Sequence, residues 1–279
     1  MIRRGGARGA IAAGGKYAGL VAVLVVAAYP IFWMAATGLK GPEQAADWWG
    51  LPGRLYLGNF AEIWARGGFV RWFLNSAAVT AASVLLTVVL AAPAGYALAG
   101  PRFRGRDAAF LLFAAGMMVP VHVTLVPLLK LFEVTGLYDT LIGLTAVNVA
   151  FSLPVGVVLF AGFFRELPAE ILEAAEIDGC GAWDAFRRVA LPLSRPAVVG
   201  VAMITLVNVW NEFVFPLVLL QTPGKYTLPL GVRNLRGEFG TDVPLMAAAL
   251  AIAVVPPLIV YALAQRQLIR GLTAGAVKG

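Results

Sequence analysis

Long apolar runs separated by short charged clusters make up most of the chain. Crossing about 30 Å of hydrocarbon as a helix takes about 20 residues, and six runs reach that length. Five of them contain no charged residue, and the fifth in chain order is interrupted only by Glu212. The predicted spans are residues 17–39, 72–99, 108–129, 140–163, 197–220 and 244–265. The pattern therefore predicts an all-α polytopic membrane protein, with six transmembrane helices in a single domain over residues 1–279.

The segment between the fourth and fifth spans, residues 167–192, departs from this pattern because it combines dense charge with helical periodicity. Pro168 suits a first helical position, and Asp178–Gly179 is a signal that ends the helix. A second short helix is predicted from Ala182 to Ala190, with Pro192 as its stop. The segment is therefore predicted to form a helix-turn-helix elbow.

Prolines occur near the middle or the outer third of most spans, which predicts kinked helices. Neighbouring helices in a bilayer can satisfy the carbonyls that a kink frees, so kinks alone need no function. Kinked helices can equally surround a cavity that opens and closes, and the sequence leaves both interpretations open. The prolines are Pro30, Pro93, Pro120, Pro127, Pro154, Pro216, Pro256 and Pro257.

The composition excludes several classes of protein. With 60% hydrophobic residues, 13% charged residues and a mean hydropathy of +0.81, the chain is too apolar for an ordinary soluble domain. The net charge of +7 is spread over short clusters between apolar runs, without the aromatic-interleaved basic face of a nucleic-acid-binding protein. The single cysteine, Cys180, cannot form an internal disulfide, and zinc-site spacings are missing.

The positive charges predict an orientation in the membrane. If the N-terminus is cytoplasmic, 14 of the 22 lysines and arginines lie on the cytoplasmic side. That side then holds both termini, the loop at residues 102–106 and the elbow. Cytoplasmic loops carry the excess of positive charge in membrane proteins, so both termini and the elbow are predicted to be cytoplasmic.

Motifs for catalysis are missing from the sequence. It contains no G-x-x-x-x-G-K-[ST] phosphate cradle, no H-E-x-x-H and no G-x-S-x-G. We therefore predict no catalytic residue and no metal ligand, and an ATP-driven process would need another subunit. The one histidine, His122, either relays protons or contacts a ligand, or it is hydrogen-bonded inside a helix bundle.

The fifth predicted span contains the most polar intramembrane cluster. An ionisable residue at mid-bilayer costs about 2.5 to 3.5 kcal/mol, so it usually faces a cavity or a partner. The cluster therefore predicts part of a substrate pathway. Glu212 could instead bond a neighbouring helix and fix its packing, and the aromatic residues either stack on a sugar ring or are interface aromatics. The candidate pathway residues are Asn208, Trp210, Asn211, Glu212 and Phe213.

The elbow resembles the EAA signature of ATP-binding-cassette (ABC) importer permeases, the inner membrane components of binding-protein-dependent transport systems. The matching residues are Glu173-Ala174-Ala175, Asp178-Gly179, Phe186, Leu191-Pro192 and Pro196. Cys180 is a departure, since the signature usually has alanine there. Cysteine is small enough to keep the turn.

The resemblance extends over nearly the whole chain to the six-span, maltose-type carbohydrate permeases. The matching segments are Gly38-Leu39-Lys40, Asn75-Ser76, Trp210-Asn211-Glu212-Phe213, Thr227-Leu228-Pro229-Leu230 and the end from Arg270 to Gly279. It implies the type I ABC importer permease fold, with the elbow as a cytoplasmic coupling helix-turn-helix. It also implies a multi-pass protein of a bacterial or archaeal cytoplasmic membrane.

The resemblance implies a non-catalytic subunit that forms half of the pathway for a sugar or oligosaccharide. The implied partners are a second permease subunit, two ABC ATPase subunits and an extracytoplasmic binding protein. This chain would bind no cofactor, and the ATPases would use ATP and Mg²⁺. The Gly271–Gly279 tail would reach between the ATPases, and the Thr222–Asp242 loop would meet the binding protein. The ATPase contact would be formed by Glu173, Ala174, Ala175, Asp178 and Gly179.

Two alternatives remain at this point. The same machinery could import glycerol 3-phosphate or another polar solute, which a cation-rich cavity would favour, yet no predicted span contains lysine or arginine. A non-transport membrane scaffold or membrane enzyme is the alternative from a different class.

Overall fold

The computed structural model describes residues 6–47, 49–65, 67–100, 103–238 and 242–276, and it gives only the backbone for 6–14, 67, 234–238, 266 and 268–276. Within these ranges every regular element is a helix. The helices are α1 Gly6–Gly38, α2 Gly58–Ala65, α3 Gly67–Ala99, α4 Arg106–Gly116, α5 Val121–Thr135, α6 Leu141–Arg165, α7 Ala169–Ile177, α8 Ala182–Ala185, α9 Leu191–Leu193, α10 Arg195–Trp210, α11 Val214–Leu219, α12 Leu228–Glu238 and α13 Val243–Ala276.

The all-helical fold class predicted from the apolar runs is confirmed. Four helices are long and apolar enough to cross a membrane, and the number rises to six if each of two bent pairs counts as one span. The four are Gly15–Gly38, Gly68–Ala99, Leu141–Arg165 and Val243–Gln265. They coincide within a few residues with the first, second, fourth and sixth predicted spans.

The third predicted span, residues 108–129, is not one straight helix. It is divided into α4 and α5, which are bent by 97° across the break before Val121. Pro120 explains the break, because proline lacks the N–H that a continuing helix needs and disfavours helical backbone at the preceding residue. His122 lies in the first turn of α5 with an exposed side chain.

The fifth predicted span, residues 197–220, is also interrupted. α10 ends at Trp210 and α11 begins at Val214, so the Asn211–Phe213 segment is a break within the apolar run. A long apolar run shows only that its residues can lie in a membrane. It does not show that their backbone is continuous.

The described residues form two compact units, and the single domain over 1–279 stays a prediction. One unit combines the described residues before Gly67 with those from Asn234 to Val254. Here Lys40 is 1% exposed and its ammonium donates a hydrogen bond to the Asp47 carbonyl. The Asn59 amide donates to the carbonyls of Gly38 at 2.9 Å and Lys40 at 2.8 Å. These bonds fix the segment that follows α1.

The second unit combines Gly67–Arg233 with the residues from Val255 onward, and the α3–α6 pair is its centre. The two helices approach closely at two glycines. A Cβ at Gly95 would lie 2.5 Å from the Phe160 Cβ and 2.9 Å from the Ala161 nitrogen, and one at Gly156 would lie 2.9 Å from the Ala91 Cβ. Small residues allow such backbone contact between membrane helices, where dispersion rather than water exclusion drives packing.

We predict that Gly95→Ala lowers the stability of the purified subunit, because the added methyl group forces α3 and α6 apart. Overpacking of this kind costs about 1 to 3 kcal/mol. The measurement is the midpoint of thermal unfolding in detergent. The control is Gly162→Ala on α6, where an added Cβ meets no atom within 4 Å. Equal midpoints for the two variants would show that the helices are not in backbone contact.

Candidate functional site

The predicted elbow is present as two helical arms joined by a tight turn. Gly179 has a φ of +83°, which only glycine adopts without strain. The Gly179 N–H donates to the Glu176 carbonyl at 3.0 Å, and the Cys180 N–H donates to the Ala175 carbonyl at 2.9 Å. These two bonds form a Schellman motif, which ends α7 and satisfies its last carbonyls. Asp178–Gly179 therefore ends the first helix as the sequence predicted.

The predicted contact residues of the elbow do not all face outward. Glu173, Ala174, Asp178 and Gly179 are exposed, whereas Ala175 is only 6% exposed. Of the five residues predicted to form the ATPase contact, four therefore lie on the surface of the elbow, and Ala175 packs beneath it. Neighbouring residues in a helix point about 100° apart, so α7 buries one alanine and exposes the other.

The elbow also exposes large apolar side chains that are not among the contact residues predicted from the sequence. Ile177 is 86% exposed at the end of α7, and Trp183 is 62% exposed on the second arm. Exposed isoleucine and tryptophan on a charged segment are typical of a surface that binds a partner. Both lie within the stretch that carries the elbow signature, between residues that the resemblance singles out.

The second arm is longer and less regular than predicted. After α8, the residues from Phe186 to Ala190 form a wide π-helical turn, and helix continues through Pro192 to Leu193. Pro192 therefore does not stop the arm. It is the second residue of α9, which follows the π-helical turn without a break. Ser194 follows, and the chain bends by 75° into α10.

An aromatic cluster attaches the second arm to the ends of α3 and α6. Phe186 is 4% exposed, and its ring centroid lies 5.2 Å from that of Tyr96 and 6.3 Å from that of Phe164. Phe164 in turn stacks on Phe160 at 5.9 Å. Aromatic pairs at such distances contribute about 0.5 to 1.5 kcal/mol each beyond the area they bury. We call Tyr96, Phe160, Phe164 and Phe186 the aromatic joint.

The polar residues of the fifth span do not form one site. The Glu212 carboxylate accepts hydrogen bonds from the N–H groups of Val214 at 2.7 Å and Phe215 at 3.0 Å. It therefore caps α11, which accounts for an acidic residue in an otherwise apolar run. The Asn211 amide donates to the Val207 carbonyl of its own helix at 2.8 Å.

The other candidates line different surfaces of the second unit. Asn208 is exposed in a groove of about 750 Å³ along α6 and α10. Trp210 is 6% exposed and borders a separate, more apolar groove of about 530 Å³ beside α3. Phe213 lies under the Arg233 guanidinium, 5.9 Å from its ring centroid. Among the predicted pathway residues, Asn208 therefore places an amide in the groove along α6 and α10.

At the opposite end of α3 from the aromatic joint, three side chains hold the loop at residues 221–228, which we call the clamped loop. The Trp72 indole donates to the Pro223 carbonyl at 2.9 Å. The Asn75 amide donates to the Gly224 and Tyr226 carbonyls at 3.0 and 2.9 Å. The Ser76 hydroxyl accepts from the Leu228 N–H at 2.8 Å. The Asn75-Ser76 and Thr227-Leu228 segments singled out in the sequence therefore meet.

The clamped loop is also bound to Asp139, just before α6. Burial of this carboxyl opposes its ionisation, but hydrogen bonds from Thr222, Lys225 and the Gln221 backbone outweigh burial and hold the pKa of Asp139 well below its usual value. Lys225 forms an ion pair with it at 2.9 Å. The carboxylate is therefore charged at neutral pH. Nothing in the local sequence of Asp139 indicates this set of partners.

The elbow and the clamped loop lie at opposite ends of the same helix. Asn75 and Tyr96 are 21 positions apart on α3, which corresponds to about 32 Å at 1.5 Å per residue. That distance matches the roughly 30 Å hydrocarbon core of a bilayer.

Two predicted contact segments, the Gly271–Gly279 tail and the Thr222–Asp242 loop, are described only in part. The described structure includes no side chains for residues 268–276, and it does not include residues 277–279 or 239–241.

Comparison with known families identifies this combination of features. The family described as binding-protein-dependent transport system inner membrane component matches residues 91–274. That range includes the aromatic joint, the elbow and the clamped loop. It begins within α3 and ends near the end of α13.

Individual relatives match over nearly the full length. A putative ABC transporter permease of Caldicellulosiruptor sp. is 36% identical over 91% of this chain and 93% of its own length. The diacetylchitobiose uptake system permease of Streptomyces coelicolor is 32% identical over 94% of this chain and 88% of its own. A crystal structure of a bacterial ABC transporter for alginate import contains a chain of the same fold, with a TM-score of 0.81 at 21% identity, covering 95% of this chain and 98% of that one.

We predict that Phe186→Ala separates the elbow from the bundle and lowers the unfolding midpoint of the subunit in detergent. Truncating a buried phenylalanine costs about 3 to 5 kcal/mol. Phe186→Leu retains most of the buried volume and should cost less. The control is Phe103→Ala, since Phe103 is 50% exposed. A midpoint for Phe186→Ala that equals that of the control would show that the aromatic joint does not hold the elbow.

Proposed function

The chain belongs to the family of binding-protein-dependent transport system inner membrane components, and we propose that it forms half of the pathway of an importer for a sugar or oligosaccharide. Membership makes it the membrane subunit of an ABC importer, a multi-pass inner membrane protein whose role is transport. The observation that carries the proposal is the elbow, which presents an exposed surface to a partner and is fixed to two membrane helices.

The elbow is the proposed contact with an ABC ATPase. Glu173, Ala174, Asp178 and Gly179 form its exposed turn and outer side, with Ile177 as an apolar anchor. The complex would contain two ATPase subunits, which use ATP and Mg²⁺, and a second permease subunit. The elbow and both termini would then be cytoplasmic, in agreement with the distribution of positive charge.

The other end of α3 is the proposed extracytoplasmic side. Since about 32 Å of helix separates Asn75 from Tyr96, a cytoplasmic elbow places the clamped loop on the outer surface. An extracytoplasmic binding protein would dock there and deliver its solute. Asn208 in the groove along α6 and α10 is the residue proposed to contact that solute.

The proposed mechanism is alternating access. ATP would bring the two ATPases together, and they would carry the elbows with them. Because Phe186 is packed on Tyr96 and Phe164, a moving elbow would move α3 and α6 as one body. The membrane pathway would then open toward the docked binding protein.

A carbohydrate is the solute that the relatives favour. The diacetylchitobiose permease of Streptomyces coelicolor matches 94% of this chain. The predicted spans contain no lysine or arginine that would favour an organic phosphate. The polar side chains that line the groove are the Asn208 amide, the Tyr261 phenol and the Glu166 carboxyl group, and none of them is a cation.

We predict that Gly179→Ala reduces ATP-dependent uptake into proteoliposomes several-fold. A non-glycine residue at this left-handed position costs about 1 to 2 kcal/mol and distorts the tip of the elbow. Glu173→Lys, which reverses a charge on the same surface, should act in the same direction.

The matched control is Gly181→Ala, two residues away, where φ is −70° and an added Cβ meets nothing within 4 Å. Its uptake should equal that of the unaltered protein. Normal uptake by Gly179→Ala and Glu173→Lys, with normal assembly, would contradict the coupling role of the elbow.

The identity of the solute can be tested on the binding protein alone. The protein to use is the one that stimulates ATP hydrolysis by the assembled complex. Titration calorimetry should show saturable binding of a sugar or oligosaccharide and none of glycerol 3-phosphate. The reverse selectivity would overturn the carbohydrate assignment while leaving the importer role in place.

A further inference from the structure

Asp139 joins two connecting segments that are far apart in the sequence. It lies between α5 and α6, and its partners lie more than 80 residues later in the clamped loop. Its own N–H donates to the Leu219 carbonyl at 2.9 Å, at the end of α11. The connection therefore ties the start of α6 directly to the segment that follows the broken fifth span.

Every polar group of Asp139 takes part in this connection. One carboxylate oxygen accepts from the Gln221 and Thr222 N–H groups at 2.9 and 3.1 Å. The other accepts from the Thr222 hydroxyl at 2.6 Å and the Lys225 ammonium at 2.9 Å. The same ammonium also reaches the Asp139 carbonyl at 2.6 Å. Charge-assisted bonds of this kind are about twice as strong as neutral ones.

The backbone of Asp139 is in the left-handed conformation, which residues other than glycine seldom adopt. Asp139 has a φ of +51°, and among the described residues it is the one non-glycine residue with a positive φ. Such a conformation costs of order 1 kcal/mol and persists where the surroundings fix it. The six bonds described above supply that fixation, so the carboxylate is held in one position.

The clamped loop is thus fixed from two sides, by Asp139 and by the side chains of Trp72, Asn75 and Ser76. Its first three residues nevertheless remain accessible, since Gln221, Thr222 and Pro223 are exposed. Fixed backbone with exposed polar and proline side chains is a surface that can bind a protein with little loss of conformational entropy.

We propose that Asp139 is the positioning residue that holds the clamped loop in the conformation to which the extracytoplasmic binding protein docks. The proposal rests on the proposed function, which supplies the partner. Asp139 acts by holding the loop in its docking conformation before the partner arrives.

Two variants of Asp139 remove different parts of its interactions. Asp139→Asn removes the charge but keeps an acceptor and tolerates the left-handed backbone. Asp139→Gly removes the whole carboxylate and relieves the strain. Asp107→Asn is the matched control, because Asp107 is an exposed aspartate paired with Arg106 at the other end of the unit.

The first measurement is ATP hydrolysis by the assembled complex in nanodiscs as the binding-protein concentration is raised. For Asp139→Gly we expect the half-saturating concentration of the binding protein to rise about 5- to 10-fold, because the loop must then become ordered when the partner binds. The maximal rate should be retained, and Asp139→Asn should show a smaller rise. An unchanged half-saturating concentration in Asp139→Gly, or a fall in maximal rate alone, would overturn the proposal.

The second measurement does not depend on the partner. A spin label at Gln221→Cys, in a Cys180→Ala background, reports the mobility of the clamped loop. The label should be more mobile in Asp139→Gly than in the Asp107→Asn control, and equal mobility would overturn the positioning role. If no binding protein stimulates the unaltered complex, the proposed function fails, whereas the label still tests Asp139.

Discussion

Backbone contact between α3 and α6 is the constraint on which the rest of the second unit depends. In a bilayer the helices gain no hydrophobic free energy from meeting each other, so close packing must supply the attraction. Gly95 and Gly156 allow that approach, because a Cβ at either position would lie under 3 Å from an atom of the other helix. The pair can therefore behave as one body, and both functional surfaces are attached to its ends.

The attachments at the two ends differ in their chemistry. At the elbow the contacts are aromatic, with Phe186 packed between Tyr96 and Phe164. At the clamped loop they are hydrogen bonds and an ion pair, from Asn75 on α3 and from Asp139 before α6. The elbow thus contacts both helices, and the clamped loop contacts α3 and the residue two positions before α6. A force applied to the elbow would reach the clamped loop without passing through the broken third and fifth spans.

The sequence predicted well those features that depend on neighbouring residues. The charge-free runs located the long helices within a few residues, and Asp178–Gly179 located the turn because a left-handed position there requires glycine. Breaks within apolar runs could not be predicted from hydropathy, which records where residues lie and not whether their helix is continuous. Glu212 illustrates the difference, since its role as a cap exists only because α11 begins directly after it. Asp139 could not be found at all, because its partners lie 82 to 86 residues away.

If α3 and α6 join the elbow to the clamped loop, the distance between these two surfaces stays constant when the complex binds ATP. The most direct test is the distance between two spin labels, one at Arg187→Cys on the elbow and one at Gln221→Cys in the clamped loop. It is measured by pulsed electron paramagnetic resonance in a Cys180→Ala background. The assembled complex would be compared with and without trapped ATP. We expect one narrow distribution that is the same in both states. A distribution that broadens or shifts when ATP is bound would show that the two ends move independently.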